Sequence, residues 1–494
     1  MLRKIRIILA AVMLVGITWL FVYFTGLAHL WLGWMADIQF LPSVLALNVV
    51  VIVGLVLLTL LFGRAYCSII CPLGVMQDVF GWMGRKVKKN RYTYSAAKTW
   101  LRLSVLVVFV ALMVLGMSGI ASIIAPYSAY GRISQALLQP LWELGNNVLA
   151  GMAERMDSYA FYSVDVWVRS LPVLIVAVVT LVVLAVLAWR GGRTYCNTIC
   201  PVGTVLGYVA RFSLLKVRID ESKCNKCGLC GRNCKAACID SKGGRIDYTR
   251  CVDCMDCLGK CRKGALSYGV ALAAKSENGG EKGGGPDNSG RREFLATTAV
   301  LGTIALQSQA KKVDGGLAVI KDKRPYERGT KVVPPGSLSI SNLQSKCTGC
   351  QLCISKCPNE VLRPSTDLLH LMQPESSFER GYCRPECVTC ADVCPAGAIT
   401  PISQEQKAST QVGHAVWMKD NCVAVKTDDG CGLCARKCPV GAIEMVFTQI
   451  DGRDVIAPAV NEEMCIGCGA CEYYCPSRPY PAIHVEGHEV HKEV

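Results

Sequence analysis

The stretch Cys224-Asn-Lys-Cys227-Gly-Leu-Cys230-Gly-Arg-Asn-Cys234 recurs in spacing as Cys251-Val-Asp-Cys254-Met-Asp-Cys257-Leu-Gly-Lys-Cys261. Three thiolates this close together hold three irons of one cubane, and the trailing fourth cysteine of such a run ligates the other cluster. The spacing therefore predicts one cluster on Cys224, Cys227, Cys230 and Cys261. It predicts a second on Cys251, Cys254, Cys257 and Cys234. A structural zinc site is built from two cysteine pairs, not from triplets with a trailing fourth. Lys235 and Arg262 stand where a proline usually follows the fourth cysteine, and Cys238 is left without a partner.

Working toward the C-terminus, sixteen more cysteines fall into four groups. These are Cys347, Cys350, Cys353 and Cys357; Cys383, Cys387, Cys390 and Cys394; Cys422, Cys431, Cys434 and Cys438; and Cys465, Cys468, Cys471 and Cys475. A proline follows the last cysteine of each group, and Pro-Ala-Gly-Ala-Ile or Pro-Val-Gly-Ala-Ile continues two of them as a turn and strand. Exchange between neighbours gives Cys394 to the first group and Cys357 to the second, Cys475 to the third and Cys438 to the fourth. A nested exchange, first group with last, satisfies the same spacing. Twenty-four cysteines thus account for six [4Fe–4S] clusters in α+β modules of the bacterial ferredoxin type.

Toward the N-terminus the chemistry changes. Hydrophobic residues make up 51% of the 494-residue chain and charged residues 18%. Apolar stretches near 5–25, 43–63, 101–124 and 171–189 each reach the roughly 20 residues needed to cross a bilayer. The expectation is an α-helical membrane bundle of four spans over 1–212. Arg3, Lys4 and Arg6 precede the first stretch. Arg85, Lys86, Lys88, Lys89 and Arg91 follow the second, and Arg190, Arg193 and Arg211 follow the fourth. The net charge of +15 is therefore a topology signal that puts both ends of the bundle in the cytoplasm, and not a nucleic-acid footprint. Trp142, Tyr159, Phe161, Tyr162 and Trp167 in the periplasmic segment 125–170 suit helices lying at the membrane interface.

The bundle contains a repeat. Arg64-Ala-Tyr66-Cys67-Ser-Ile-Ile-Cys71-Pro72-Leu-Gly74 matches Arg193-Thr-Tyr195-Cys196-Asn-Thr-Ile-Cys200-Pro201-Val-Gly203. A two-helix unit has been duplicated. Cysteines at i and i+4 share a helical face, so Cys67 with Cys71 and Cys196 with Cys200 are candidate metal-binding or redox pairs at the cytoplasmic membrane edge.

A two-cluster domain at 213–270 leads into a flexible linker, 271–290. Arg291-Arg292-Glu-Phe-Leu and the mild apolar run after it, 291–310, carry the signature of the export route for folded proteins. That route suits a domain whose clusters are built in the cytoplasm. A second linker, 311–340, precedes the four-cluster domain at 341–494. No Cys-x-x-Cys-His attaches a haem, and no Gly-x-Gly-x-x-Gly supports a nicotinamide site. His484, His488 and His491 read as a solvated tail.

With these motifs in hand, residues 1–270 resemble the membrane quinol-dehydrogenase subunit of periplasmic nitrate reductase systems. Related arrangements occur in the nitrous-oxide-reductase regulator and the cytochrome oxidase accessory ferredoxin families. Residues 288–480 resemble the twin-arginine-exported four-cluster partner of the nitrate system, itself related to the methylamine-utilisation ferredoxin. The resemblance implies a fused electron-transfer protein of the bacterial inner membrane in anaerobic respiration. Its first module would be cytoplasmic and its C-terminal module periplasmic. It would take electrons from quinol and pass them to a periplasmic reductase or electron carrier. The oxidase-accessory relatives imply an alternative, a maturation reductase whose Cys67, Cys71, Cys196 and Cys200 handle copper.

Overall fold

The computed structural model describes residues 2–23, 27–87, 92–158, 160–270, 323–427, 430–450 and 452–493. Two helices, Leu2–Val22 and Leu171–Gly191, have 21 residues each and are apolar enough to cross a membrane. At 1.5 Å per residue each is about 31 Å long, the thickness of a hydrocarbon core. One face of each is buried, through Ile17, Leu20 and Phe21 on the first and Ala177, Leu184 and Ala188 on the second. The other faces leave Ile8, Val12, Val15, Ile175, Val179 and Val186 uncovered.

The remaining two expected spans are shorter, so the reading of four full-length membrane helices is corrected to two. Val49–Phe62 has 14 residues and Thr99–Val114 has 16. Ahead of the first, Leu47 turns at φ +52° and the Asn48 side chain caps the new helix on the Val51 amide. After the second, Gly116 turns at φ +75° and the chain restarts as Ser118–Ala121. A hydrophobic window does not register either turn.

The segment 125–170 also departs from expectation. Pro126–Ile133 is buried along its whole length rather than lying at an interface. Its Arg132 is tolerated inside because the guanidinium donates to the Ser122 and Ile123 carbonyls at 3.1 Å each. Trp142 meets Trp19 edge-on at 5.2 Å. Trp167 lies under Arg363 and Arg380 of the C-terminal module, 4.6 and 4.5 Å from its ring centre. Phe161 and Tyr162 are exposed. Tyr159, Lys88, Lys89, Arg91 and the twin-arginine segment 291–310 lie outside the described residues.

The first module closes with an antiparallel pair, Leu215–Ile219 with Leu266–Val270. The second is built on Thr410–Trp417 with Ile483–Glu493 and Ile443–Ile450 with Arg453–Val460. Two expectations fail here. Residues 323–339, read as linker, belong to this module: Val332 and Val333 are buried and Arg328 pairs with Glu472 at 2.6 Å. The histidine tail is the strand Ile483–Glu493, with His484 buried and stacked on Tyr326 at 3.7 Å. Only the start of that strand is buried, at Ile483, His484 and Val485, and its later residues are half-buried or exposed.

The modules occupy opposite ends of the two long helices. Arg3, near the start of Leu2–Val22, pairs with Asp256 of the first module at 2.7 Å. At the other end, the Tyr23 carbonyl accepts a hydrogen bond from Lys356 of the second module. Leu171–Gly191 repeats this in reverse: Arg169 before it donates to the Ile354 carbonyl, and the Arg193 amide after it donates to the Lys235 carbonyl at 2.7 Å.

Candidate metal centres

Each ferredoxin module wraps cavities lined by thiols. Cys224, Cys227, Cys230 and Cys261 line one, and Cys234, Cys251, Cys254 and Cys257 line another. Cys238, unassigned from the sequence, sits in that second cavity with its Sγ 3.5 Å from Cys234 Sγ. In the C-terminal module Cys394 joins Cys347, Cys350 and Cys353, while Cys475 joins Cys422, Cys431 and Cys434. Cys357 lies in electrostatic reach of Cys383 and Cys390. Cys438 stands in the same relation to Cys465 and Cys468. The grouping is the exchange between neighbours, not the nested one.

Local backbone explains the repetition. Gly228, Gln351, Gly432 and Gly469 each follow the second cysteine of a group, adopt left-handed geometry and start the short helix that carries the third. At Gly469 a side chain is also excluded sterically, since a Cβ there would lie 2.2 Å from the Phe378 ring. Downstream of the fourth cysteine the chain folds back, and amides of Ala265, Ala442 and Ala482 donate to Cys261, Cys438 and Cys475 at 3.2, 3.3 and 3.2 Å. Such bonds stabilise a thiolate ligand.

These donor sets fit a polynuclear cluster. Among the described residues no three His, Cys, Asp or Glu side chains converge as they would on one ion. The thiolates of a tetrahedral zinc stand about 3.8 Å apart, whereas a cubane spreads its four ligands around a wider body. Burial pushes the thiols of Cys350 and Cys434 up to about 11 and that of Cys468 up to about 12. Without a cluster they are protonated near neutrality, so loading releases protons.

The two Cys-x-x-x-Cys-Pro pairs meet each other. Cys67, Cys71, Cys196 and Cys200 are 4–5% exposed and belong to one buried core. The short helices Ala65–Ile69 and Thr194–Thr198 hold the first cysteine of each pair, and the motif repeat becomes an approximate two-fold arrangement. Arg64 donates to the Cys196 carbonyl at 3.2 Å, and Arg193 donates to the Cys67 carbonyl. Each arginine passes over the glycine of the opposite motif. A Cβ on Gly74 would lie 2.8 Å from Arg193 Nη1, and one on Gly203 would lie 2.7 Å from Arg64 Nη2. Gln77 Nε2 reaches Cys196 Sγ at 3.3 Å, and the Gly203 amide donates to Cys200 Sγ at 3.3 Å.

A polar network missed from the sequence joins this site to the first module. Asp78 pairs with Arg193 at 2.7 Å, Lys235 at 2.6 Å and Arg6 at 3.1 Å. Burial opposes its charge, but Arg193 and Lys235 outweigh burial and hold the carboxyl well below the usual range. Lys235 also approaches Asp256 at 3.4 Å. Its place in a position usually held by proline was the available signal: a proline there has no ammonium to offer Asp78. Asn197, beside Cys196, accepts from Arg64 at 2.7 Å and donates to the Ala236 carbonyl at 3.1 Å.

Cysteine groups wrapped in this way define an iron–sulfur electron-transfer protein of ferredoxin type. The description "4Fe-4S binding domain" matches residues 44–90, 171–220 and 343–363, and "4Fe-4S dicluster domain" matches 429–478. The methylamine utilization ferredoxin-type protein MauM of Methylobacillus flagellatus is 30% identical over 166 residues, 32% of this chain and 70% of its own length. The ferredoxin-type protein NapG of Escherichia coli is 28% identical over 215 residues, 40% of this chain and 86% of the relative. YccM of Escherichia coli, an electron transport protein by its name, is 25% identical over 221 residues, 45% of this chain and 55% of the relative. No solved structure matches. The chain belongs to the 4Fe–4S ferredoxin-type family that includes MauM.

Proposed function

We propose that this protein carries electrons from the quinol pool of a bacterial inner membrane to a periplasmic reductase or its electron carrier. Its 24 ferredoxin cysteines would ligate six [4Fe–4S] clusters, two on the cytoplasmic side and four on the periplasmic side. When bound, the clusters supply one-electron redox chemistry at metal centres. The chain's own residues fix the spacing of the sites, shield them from water and balance their charge.

The observation that carries this reading is the placing of two thiol-lined modules at opposite ends of the same 21-residue apolar helices. Val270 closes the strand pair of the first module, and Lys323 bonds to the Glu472 and Tyr473 carbonyls of the second. The twin-arginine segment read at 291–310 would serve to export the second module. The exposed apolar faces of the long helices suit a lipid bilayer, and Arg3, Arg6 and Arg85 cluster at the first-module end as cytoplasmic residues do. Membership of the MauM family and likeness to NapG, both ferredoxin-type by name, agree with this role. Burial of Cys67, Cys71, Cys196 and Cys200 speaks against the copper-handling alternative, because metal hand-off to a partner needs an accessible thiol.

Anaerobic EPR on membranes, before and after a reduced quinol analogue is added, tests the proposal. Cluster signals that appear on quinol addition support it. Clusters that ignore quinol but respond to a low-potential donor on the cytoplasmic side would move electron entry to residues 224–261 and overturn the quinol reading.

A further inference from the structure

We infer that Cys67, Cys71, Cys196 and Cys200 together hold one additional four-iron cluster in the membrane domain, between the two ferredoxin modules. The matched segments 44–90 and 171–220 share the description of a 4Fe–4S binding domain, yet each contributes only two cysteines of the repeated motif. A cubane takes four thiolates, so neither segment suffices alone. Tertiary structure pools them: all four thiols lie in one buried core, and each pair lies in electrostatic reach of the other.

Charge and packing favour a cluster over four resting thiols. A doubly positive iron–sulfur core with four thiolates carries two negative charges, costly in a buried site unless matched. Arg64 and Arg193 are fully buried, and Arg64 Nη2 points at Cys67 Sγ from 3.7 Å. One guanidinium per motif supplies the match. The glycines at 74 and 203 are what let both arginines approach.

The position makes the centre a bridge. On one side, Asn197 touches Ala236, and the Arg64 amide bonds Asp253 Oδ2 at 3.0 Å, next to Cys234 and Cys254 of the first module. On the other, the Tyr195 hydroxyl bonds the Ile124 carbonyl at 2.6 Å, and Tyr127 lies among Cys350, Cys394 and Tyr66. One electron leaving a cluster of either module reduces this centre, and its reoxidation reduces the other module; no bond or proton changes hands.

Iron counting and Mössbauer spectroscopy on the purified full-length protein test the inference, which builds on the electron-transfer reading but not on quinol as donor. About 28 irons per chain are expected in place of about 24 (seven four-iron clusters against six). Cys71→Ser and Cys200→Ser, made separately, should each remove the same four irons and the same spectral component. They should also slow transfer from a cytoplasmic low-potential donor to the outer clusters. About 24 irons, unchanged in both variants, would overturn it, as would zinc or copper in place of iron. Failure of quinol reduction alone leaves the iron count untouched, so the two proposals fail separately.

Discussion

The two ferredoxin modules are both built from repeated cysteine groups but are fastened to the helical bundle by different physics. The first is held by charge: Asp78, Asp256, Lys235, Arg193, Arg3 and Arg85 form a connected set of ion pairs. Its apolar core is its own, around Val217, Ile239, Val252 and Leu266. Part of the second shares one core with the bundle, in which Leu343, Leu352, Ile354 and Ile399 pack with Phe21, Tyr127 and Ile133. Backbone contacts reinforce it, including the Ser118 hydroxyl on the Gln344 and Cys347 carbonyls.

The contrast can be broken most severely at Asp78. In Asp78→Asn the buried Arg193 and Lys235 lose their counter-charge, at a cost of about 3–5 kcal/mol. Limited proteolysis should then release residues 213–270 while the C-terminal module stays protected. Equal release of both modules would mean that the junctions are not independent. Gly131 probes the other junction, because a Cβ there would lie 2.2 Å from the Cys350 carbonyl and 2.9 Å from Phe21. Gly131→Ala should cost roughly 1–3 kcal/mol through overpacking, read as a lower unfolding midpoint with the first-module spectrum unchanged. An unaltered midpoint would show that the two surfaces do not meet.

Smaller changes sharpen the picture. Trp167→Ala removes the ring between Arg363 and Arg380 and should weaken docking of the second module by about 0.5–2 kcal/mol, seen as faster amide exchange near Ile354. Arg3→Ala should matter least. Arg3 is 51% exposed, and such a pair contributes about 0.2–1 kcal/mol. Its effect should vanish at high salt, whereas the Gly131 effect should not; equal salt dependence of both would erase the distinction between the junctions.

Ferredoxin chemistry was legible in the sequence because a cluster needs several thiolates within a few residues, and local spacing encodes that directly. The long apolar helices were only half legible. The turns at Leu47 and Gly116 break two of them, and single backbone torsions leave no mark on a hydropathy window. The buried helix 126–133 was misread for a related reason: Arg132 looks like a surface residue until carbonyls from Ser122 and Ile123 are found around it. Likewise His484 looks solvated until Tyr326 is found stacked on it.

Sequence alone determined the cysteine groups, the duplicated Arg-x-Tyr-Cys-x-x-x-Cys-Pro-x-Gly motif and the apolar character of the N-terminal half, since each depends on residues near one another in the chain. Tertiary structure decided which fourth cysteine completes each group, where Cys238 sits and why Lys235 replaces a proline. It also brought Cys67 and Cys71 to Cys196 and Cys200. Those outcomes join residues more than a hundred positions apart in some cases, and only the packing of helices and the pairing of buried charges can bring such residues together.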